Sequence, residues 1–180
     1  MPVLPVRPVV RALRRAAVAT AVLLGAAPGV ASAGCLIPPV DAPITDPFRM
    51  PACTYCPGNR GIEYGPARGT AVVAAAGGEV TYVGTVAGVR WLVVRQTDGL
   101  LASYGRLDAV RVRRGEEVAA GAWLATTTDR FYFGLRDGET PVDPTPWLGR
   151  RRYPTRLVPT DGGPGRPAGP GRLVCPAVGG

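Results

Sequence analysis

Short stretches of β-branched and aromatic residues alternate with glycine-containing turns through the middle of this 180-residue chain. Turn dipeptides such as Gly77-Gly78 and Asp98-Gly99 separate the stretches. Their length and spacing are typical of β-strands, and no long apolar pattern of helical period interrupts them. The pattern therefore predicts an all-β protein with a mostly antiparallel sheet or sandwich. The predicted strands are 70–76, 79–86, 90–96, 100–106, 110–113, 123–127 and 130–136.

The last predicted strand has a clear two-residue alternation. Phe131, Phe133 and Leu135 share one face, which should be the core face because successive side chains of a strand point to opposite sides. The intervening residues then face solvent or a groove. They are Arg130, Tyr132, Gly134 and Arg136.

The first 33 residues are typical of an export signal. Four arginines precede an apolar stretch at 16–27, and Ala31-Ser32-Ala33 fits a small-residue cleavage site. The apolar stretch is short for a membrane span, which needs about 20 residues. We therefore expect a secreted or cell-envelope protein with no membrane span after cleavage. Lipid anchoring at Cys35 is the less favoured alternative, because Ser32 is a poor match to a lipoprotein cleavage box.

Four predicted regions follow from these changes in composition. They are the signal peptide at 1–33, a Pro/Cys-rich entry arm at 34–58, the β-sheet core at 59–159 and a Gly/Pro-rich tail at 160–180. Beyond the signal the chain has 17 basic and 13 acidic residues, so it is only mildly basic. All the basic residues are arginine, and aromatic residues are not interleaved with them. Nucleic-acid binding is therefore not predicted.

Four cysteines in an exported chain indicate disulfides, with three possible pairings. The favoured pairing joins Cys53 to Cys56, and Cys35 to Cys175 across the two ends of the mature chain. A redox motif or half of a zinc site is the alternative for Cys53 and Cys56. The surrounding prolines and glycine favour a structural turn instead.

Several segments in order then match a known pattern. These segments are Asn59-Arg60-Gly61-Ile62-Glu63, Gly69-Thr70-Ala71-Val72-Val73-Ala74, Tyr104-Gly105-Arg106-Leu107, and 130–136 followed by Asp143-Pro144. From about Pro43 to Pro159 the chain resembles the lysostaphin-type (LytM-like) zinc endopeptidases, which cut peptidoglycan cross-bridges. The resemblance implies their β-sheet fold, and it implies zinc as the cofactor of the family.

The catalytic residues of that family are replaced, since the chain contains no histidine. By the resemblance, the zinc ligands correspond to Asn59, Glu63 and Tyr132. The two histidines that assist the attacking water correspond to Arg106 and Arg130. Only Glu63 is a competent zinc ligand, and arginine does not act as a base near neutral pH. We therefore expect no catalytic residues, no metal ligands and no bound cofactor.

The replaced groove suggests a different use. Glu63 is expected to pair with one of Arg106 and Arg130, which leaves the other for a carboxylate of a peptidoglycan stem peptide. The alternative is that the three residues form an internal ion-pair network that binds nothing. Aromatic side chains that could line the groove, or equally pack in the core, are Tyr64, Trp91, Tyr104 and Tyr132.

Three functions remain open. The leading hypothesis is a secreted, catalytically inactive member of the peptidase family that binds peptidoglycan or regulates a cell-wall hydrolase. The runner-up is a residual metallo-endopeptidase that uses other ligands, such as Glu63 and Asp143. The third is a structural exported domain.

Overall fold

The computed structural model describes residues 35–53, 55–155, 160 and 171–176, so the predicted signal peptide lies outside the described residues. Nearly all regular structure in this part is β-strand. One 3-10 turn spans Thr145–Trp147, and no helix of the described part is long and apolar enough to cross a membrane. The strands are β1 (Ile44–Asp46), β2 (Ile62–Tyr64), β3 (Ala71–Val73), β4 (Gly78–Val86), β5 (Val89–Gln96), β6 (Leu101–Val110), β7 (Glu117–Val118), β8 (Trp123–Asp137), β9 (Thr140–Val142), β10 (Arg150–Arg152) and β11 (Arg172–Val174).

Nine of these strands form one antiparallel sheet in the order β1-β2-β8-β6-β5-β4-β7, with β3 and β9 also paired to β8. The 15-residue strand β8 organises the sheet. It pairs with β6 along one side, and with β3, β2 and β9 in turn along the other. The predicted all-β, mostly antiparallel fold is confirmed. Strands β10 and β11 form a separate two-stranded sheet.

Several predicted strand boundaries are wrong. The segments 123–127 and 130–136 belong to a single strand, and residue 110 ends β6 instead of opening a new strand. The register between β6 and β8 shifts at two points. The two strands therefore remain paired where the sequence pattern suggests that a strand ends. The short strands β1 and β2 were not predicted, because three residues carry too little periodicity.

The core lies on one face of the sheet. Phe131, Phe133 and Leu135 are fully buried, as predicted. The ring of Tyr104 packs against them at 5.3 Å from Phe133, and its hydroxyl accepts a 2.9 Å hydrogen bond from the Ala75 amide. Tyr104 is therefore a core residue and does not line a groove.

Both predicted disulfides, Cys53–Cys56 and Cys35–Cys175, are present. The second one holds the start of the described chain beside β11. The residue after Cys35 extends this attachment, because Leu36 is buried and its amide donates to the carbonyl of Trp147 at 2.7 Å. Most of the predicted Gly/Pro-rich tail at 160–180 lies outside the described residues, whereas Arg172 of β11 pairs with Arg152 of β10.

Tyr64 is buried on the core side of β2, and its hydroxyl has no hydrogen-bond partner among the described residues. Burial raises the pKa of this phenol, so it stays neutral. A buried hydroxyl without a partner costs about 1–3 kcal/mol. We therefore expect Tyr64→Phe to raise the free energy of unfolding by about 1 kcal/mol, or about 3 °C in Tm. Thermal unfolding of the two proteins measures the difference, and a lower Tm for the variant would mean that the hydroxyl has an internal partner.

Candidate functional site

Glu63, Tyr132 and Trp91, which the sequence singled out, lie on the face of the sheet opposite the core. Strand register places Asp46, Glu63, Tyr132, Gly105 and Trp91 in one row across β1, β2, β8, β6 and β5. Directly opposite residues of antiparallel strands share a face, so their side chains can touch. The row brings together residues up to 86 positions apart (46 to 132) in the chain.

Glu63 is the second residue of this row and accepts hydrogen bonds from both arginines. Arg106 Nη2 lies 3.2 Å from Glu63 Oε1, and Arg130 Nη2 lies 2.9 Å from Oε2. The Glu63 side chain is 16% exposed, against 34% for Arg106 and 59% for Arg130. The expectation that one arginine stays unpaired is therefore wrong, because the two oxygens of one carboxylate accept one bond each. A single negative charge nevertheless faces two positive ones.

Arg106 reaches Glu63 through an irregularity of the backbone. Its φ is +62°, in the left-handed region that a residue with a side chain rarely adopts. The β6–β8 register shifts between Gly105 and Leu107, so Arg106 sits in a bulge. Thr128 Oγ1 donates to the Arg106 carbonyl at 3.0 Å and supports that geometry. Bulges commonly re-aim a side chain, and this one directs Arg106 towards Glu63.

Tyr132 is held by glycines on both sides. A Cβ at Gly61 would lie 2.6 Å from its Cζ, and a Cβ at Gly134 would lie 2.7 Å from its hydroxyl. Across the row, Gly105 has no side chain to separate the Tyr132 ring from Trp91, and the two rings meet edge to face at 5.4 Å. Burial raises the pKa of Tyr132, so the ring stays a neutral phenol.

Asn59 is 8% exposed, and its amide is used for local structure. Its Nδ2 donates to the carbonyls of Asp46 and Pro47 at 3.3 and 3.2 Å, and its Oδ1 accepts from the Gly61 amide at 3.3 Å. These bonds fix the chain that leads into β2. Asn59 therefore positions Gly61 and is not directed at a ligand.

The donor set at the predicted site does not fit zinc. Asn59 is committed to backbone groups, Tyr132 is a half-buried neutral phenol, and both oxygens of Glu63 accept from guanidinium groups. Zinc prefers imidazole, thiolate and carboxylate ligands, and two guanidinium charges would repel a dication. Asp143, which the alternative site would need, accepts a hydrogen bond from the Thr145 amide in a turn. No group of three or more potential ligands occurs in the described part of the chain.

Beside the ion pairs lies a small open pocket of about 170 Å³. Arg90, Arg106 and Arg130 line it, together with Asp129. The guanidinium of Arg90 donates to the carbonyl of Asp108, which holds its side chain in place. When Glu63 is counted with Asp129, three arginines face two carboxylates, so the site has one excess positive charge. The pocket has room for a carboxylate group.

Sequence reasoning missed Arg90 and the glycines that hold Tyr132. A glycine inside a strand signals a close approach, so Gly105 and Gly134 carried a usable signal. Arg90 carried none, since nothing local distinguishes it from other exposed arginines. Of the aromatic candidates for the groove, Trp91 and Tyr132 lie on this face, whereas Tyr64 and Tyr104 are buried on the core side.

The sheet and the order of the site positions are those of a LytM-like peptidase domain, and the chain has no histidine at any of these positions. Residues 57–144 match Peptidase family M23. The predicted resemblance is thereby confirmed.

Curated relatives include the uncharacterized lipoprotein YgeR of Escherichia coli, which is 34% identical over 114 residues covering 59% of this chain and 45% of YgeR. The murein hydrolase activator NlpD of Salmonella dublin is 32% identical over 102 residues, which cover 52% of this chain and 27% of NlpD. The chain thus spans less than half the length of either relative.

Solved structures share the fold. Csd3 of Helicobacter pylori superposes with a TM-score of 0.57 at 21% identity, over 63% of this chain and 33% of Csd3. A zinc-containing peptidase of Vibrio cholerae has a TM-score of 0.51 at 25% identity, over 58% of this chain and 37% of that one.

Proposed function

We propose that this protein is a cell-envelope regulator of murein hydrolysis that does not itself cut peptidoglycan. The observation that carries the proposal is the bridge from Glu63 to Arg106 and Arg130, which occupies the positions where the family holds its metal and its base. Relatives named as lipoproteins and as a murein hydrolase activator support an envelope location and a regulatory role.

The arginine site is the wall-binding part of this proposal. Each guanidinium gives one Nη2 to Glu63 and keeps other N–H donors for a ligand. The net positive charge favours an anion, and the adjoining pocket admits a group the size of a carboxylate. Arginine forms directed, charge-assisted bonds to carboxylates, and these are stronger than neutral hydrogen bonds. A free carboxylate of a peptidoglycan stem peptide is the ligand we propose.

Binding to isolated sacculi tests the site directly. Arg106→Ala and Arg130→Ala are each expected to weaken binding by about tenfold, because a hydrogen bond to a charged group contributes about 1.5–3 kcal/mol. Arg114→Ala is the matched control, since Arg114 is exposed on a turn and does not line the pocket. Equal binding by all four proteins would mean that the ion pairs only fill the former metal site.

The regulatory role needs a second assay. We expect the purified oxidised protein to release no muropeptides from sacculi, with or without added zinc. When it is added to a panel of purified murein hydrolases, it should increase the rate of release by at least one of them. Stoichiometric zinc binding with muropeptide release by the protein alone would contradict the proposal and support a residual metallo-endopeptidase.

A further inference from the structure

A second groove lies on the other side of β2 from Glu63. Tyr64 follows Glu63 in the strand, so its side chain points to the opposite face. The groove has a volume of about 310 Å³ and runs between β1 and β10. Val40, Tyr64 and Leu148 contribute apolar surface to it, and none of them belongs to the site described above.

Tyr64 gives this groove an unsatisfied polar group. Its side chain is 3% exposed, and its hydroxyl has no partner in the described part of the chain. Buried polar groups in native proteins nearly always have a hydrogen-bond partner. The hydroxyl itself is inaccessible in the free protein, so a ligand supplies that partner only if it reaches past the groove surface.

The side of the groove formed by β10 is strongly positive. Arg150 and Arg151 line it, and both are exposed. Neither forms an ion pair with any described residue, in contrast to Arg106 and Arg130. Asp41 is the one acidic side chain among the described lining residues. Charge complementarity therefore favours an acidic occupant.

The opposite side is an edge of the main sheet. β1 pairs with β2 and, within the described part, with no other strand, so one side of its backbone is available. Exposed edge strands accept extended peptides as an additional strand. Ile44 of β1 and Tyr153 beyond β10 both line the groove, and they are 43% and 53% exposed. Exposed apolar side chains grouped at a groove mark an interaction surface.

We propose that this groove binds an extended acidic segment of a partner protein. One apolar side chain of the segment enters the pocket beside Tyr64, and neighbouring carboxylates contact Arg150 and Arg151. Glycan strands lack an apolar side chain to fill the pocket, so the lining favours a peptide over a glycan strand. The identity of the partner as a murein hydrolase rests on the proposed function, whereas the ligand chemistry does not.

Fluorescence anisotropy with a labelled peptide tests the groove in the full, oxidised chain. The probe is Gly-Glu-Asp-Leu-Glu-Asp-Gly, compared with one in which serine replaces leucine. The double variant Arg150→Glu/Arg151→Glu is expected to weaken binding of the first probe at least tenfold. Its matched control is Arg113→Glu/Arg114→Glu, which makes the same change of charge on an exposed turn outside the groove. The control should stay within about twofold of the wild-type Kd.

Two further comparisons separate a built site from general charge attraction. The serine probe should bind at least fivefold more weakly than the leucine probe. Tyr64→Phe should weaken the leucine probe about threefold, although it is expected to stabilise the free protein. If the groove binds the leucine probe as expected but the protein activates no hydrolase, the proposed function is wrong and the groove proposal stands.

Three results would overturn the groove proposal. One is that the peptide shows no binding to the wild-type protein. Another is equal loss of affinity in the two double variants, which would show unspecific attraction to positive charge. The third is displacement of the probe by muropeptides with no preference for leucine over serine, which would make the groove a peptidoglycan site.

Discussion

Replacing both Cys35 and Cys175 by serine is expected to lower the free energy of unfolding by about 5 kcal/mol. The two residues are 140 positions apart, so the disulfide removes a large amount of conformational entropy from the unfolded chain. Urea unfolding of the variant measures the loss. The matched control is Cys53→Ser/Cys56→Ser, whose short loop predicts a loss of only about 2 kcal/mol. A smaller effect for the long-range pair than for the short one would contradict the entropic argument.

The same disulfide has a consequence for localisation. Several relatives are named lipoproteins, which does not support treating a lipid anchor at Cys35 as the lesser alternative. The sulfur of Cys35 is bonded to Cys175 in the structure, and one sulfur forms either a disulfide or a thioether to lipid. Mass spectrometry of peptides that contain Cys35, from soluble and membrane fractions, distinguishes the two states.

Gly61→Ala is expected to destabilise the protein by about 3 kcal/mol, the upper end of the usual cost of overpacking. A Cβ at this position would lie 2.5 Å from the carbonyl oxygen of Phe133 and 2.6 Å from the ring of Tyr132. The ring cannot move away freely, because Gly134 and Trp91 contact its other sides. The variant should therefore shift β2 and with it Glu63.

Chemical denaturation of Gly61→Ala measures this cost, and Gly77→Ala is the control. At Gly77 the nearest atom to a new Cβ would be 3.4 Å away, an ordinary contact, so we expect a change below about 1 kcal/mol. Adding Tyr132→Ala to Gly61→Ala should recover only part of the loss, since the carbonyl of Phe133 remains too close. Full recovery of stability would mean that the clash with the Tyr132 ring accounts for the whole loss.

The two surfaces proposed here suit a regulator that links a wall and an enzyme. Glu63 and Tyr64 are adjacent in β2, yet alternation sends one to the arginine site and the other to the groove by β10. The first site offers charged, directed contacts to a small anion. The second offers apolar area, an edge strand and positive charge to an extended peptide. Because the surfaces lie on opposite faces, both ligands can be bound at once.

Local pattern was sufficient for part of the fold. The alternation of 130–136 correctly assigned Phe131, Phe133 and Leu135 to the core, because strand period depends only on neighbouring residues. The two disulfide pairs were also predicted correctly. The absence of the family's histidines is evident from the sequence itself. These features are local, or they are matters of composition and order along the chain.

Tertiary structure decided the rest. That both Arg106 and Arg130 reach Glu63 depends on a bulge and a left-handed residue, which arise where two strands pair out of step. The unpartnered hydroxyl of Tyr64 and the groove beside β10 likewise depend on how distant strands pack. Strand alternation is set by the local backbone, whereas register, bulges and pockets are set by contacts between residues far apart in the chain, and no local pattern encodes those contacts.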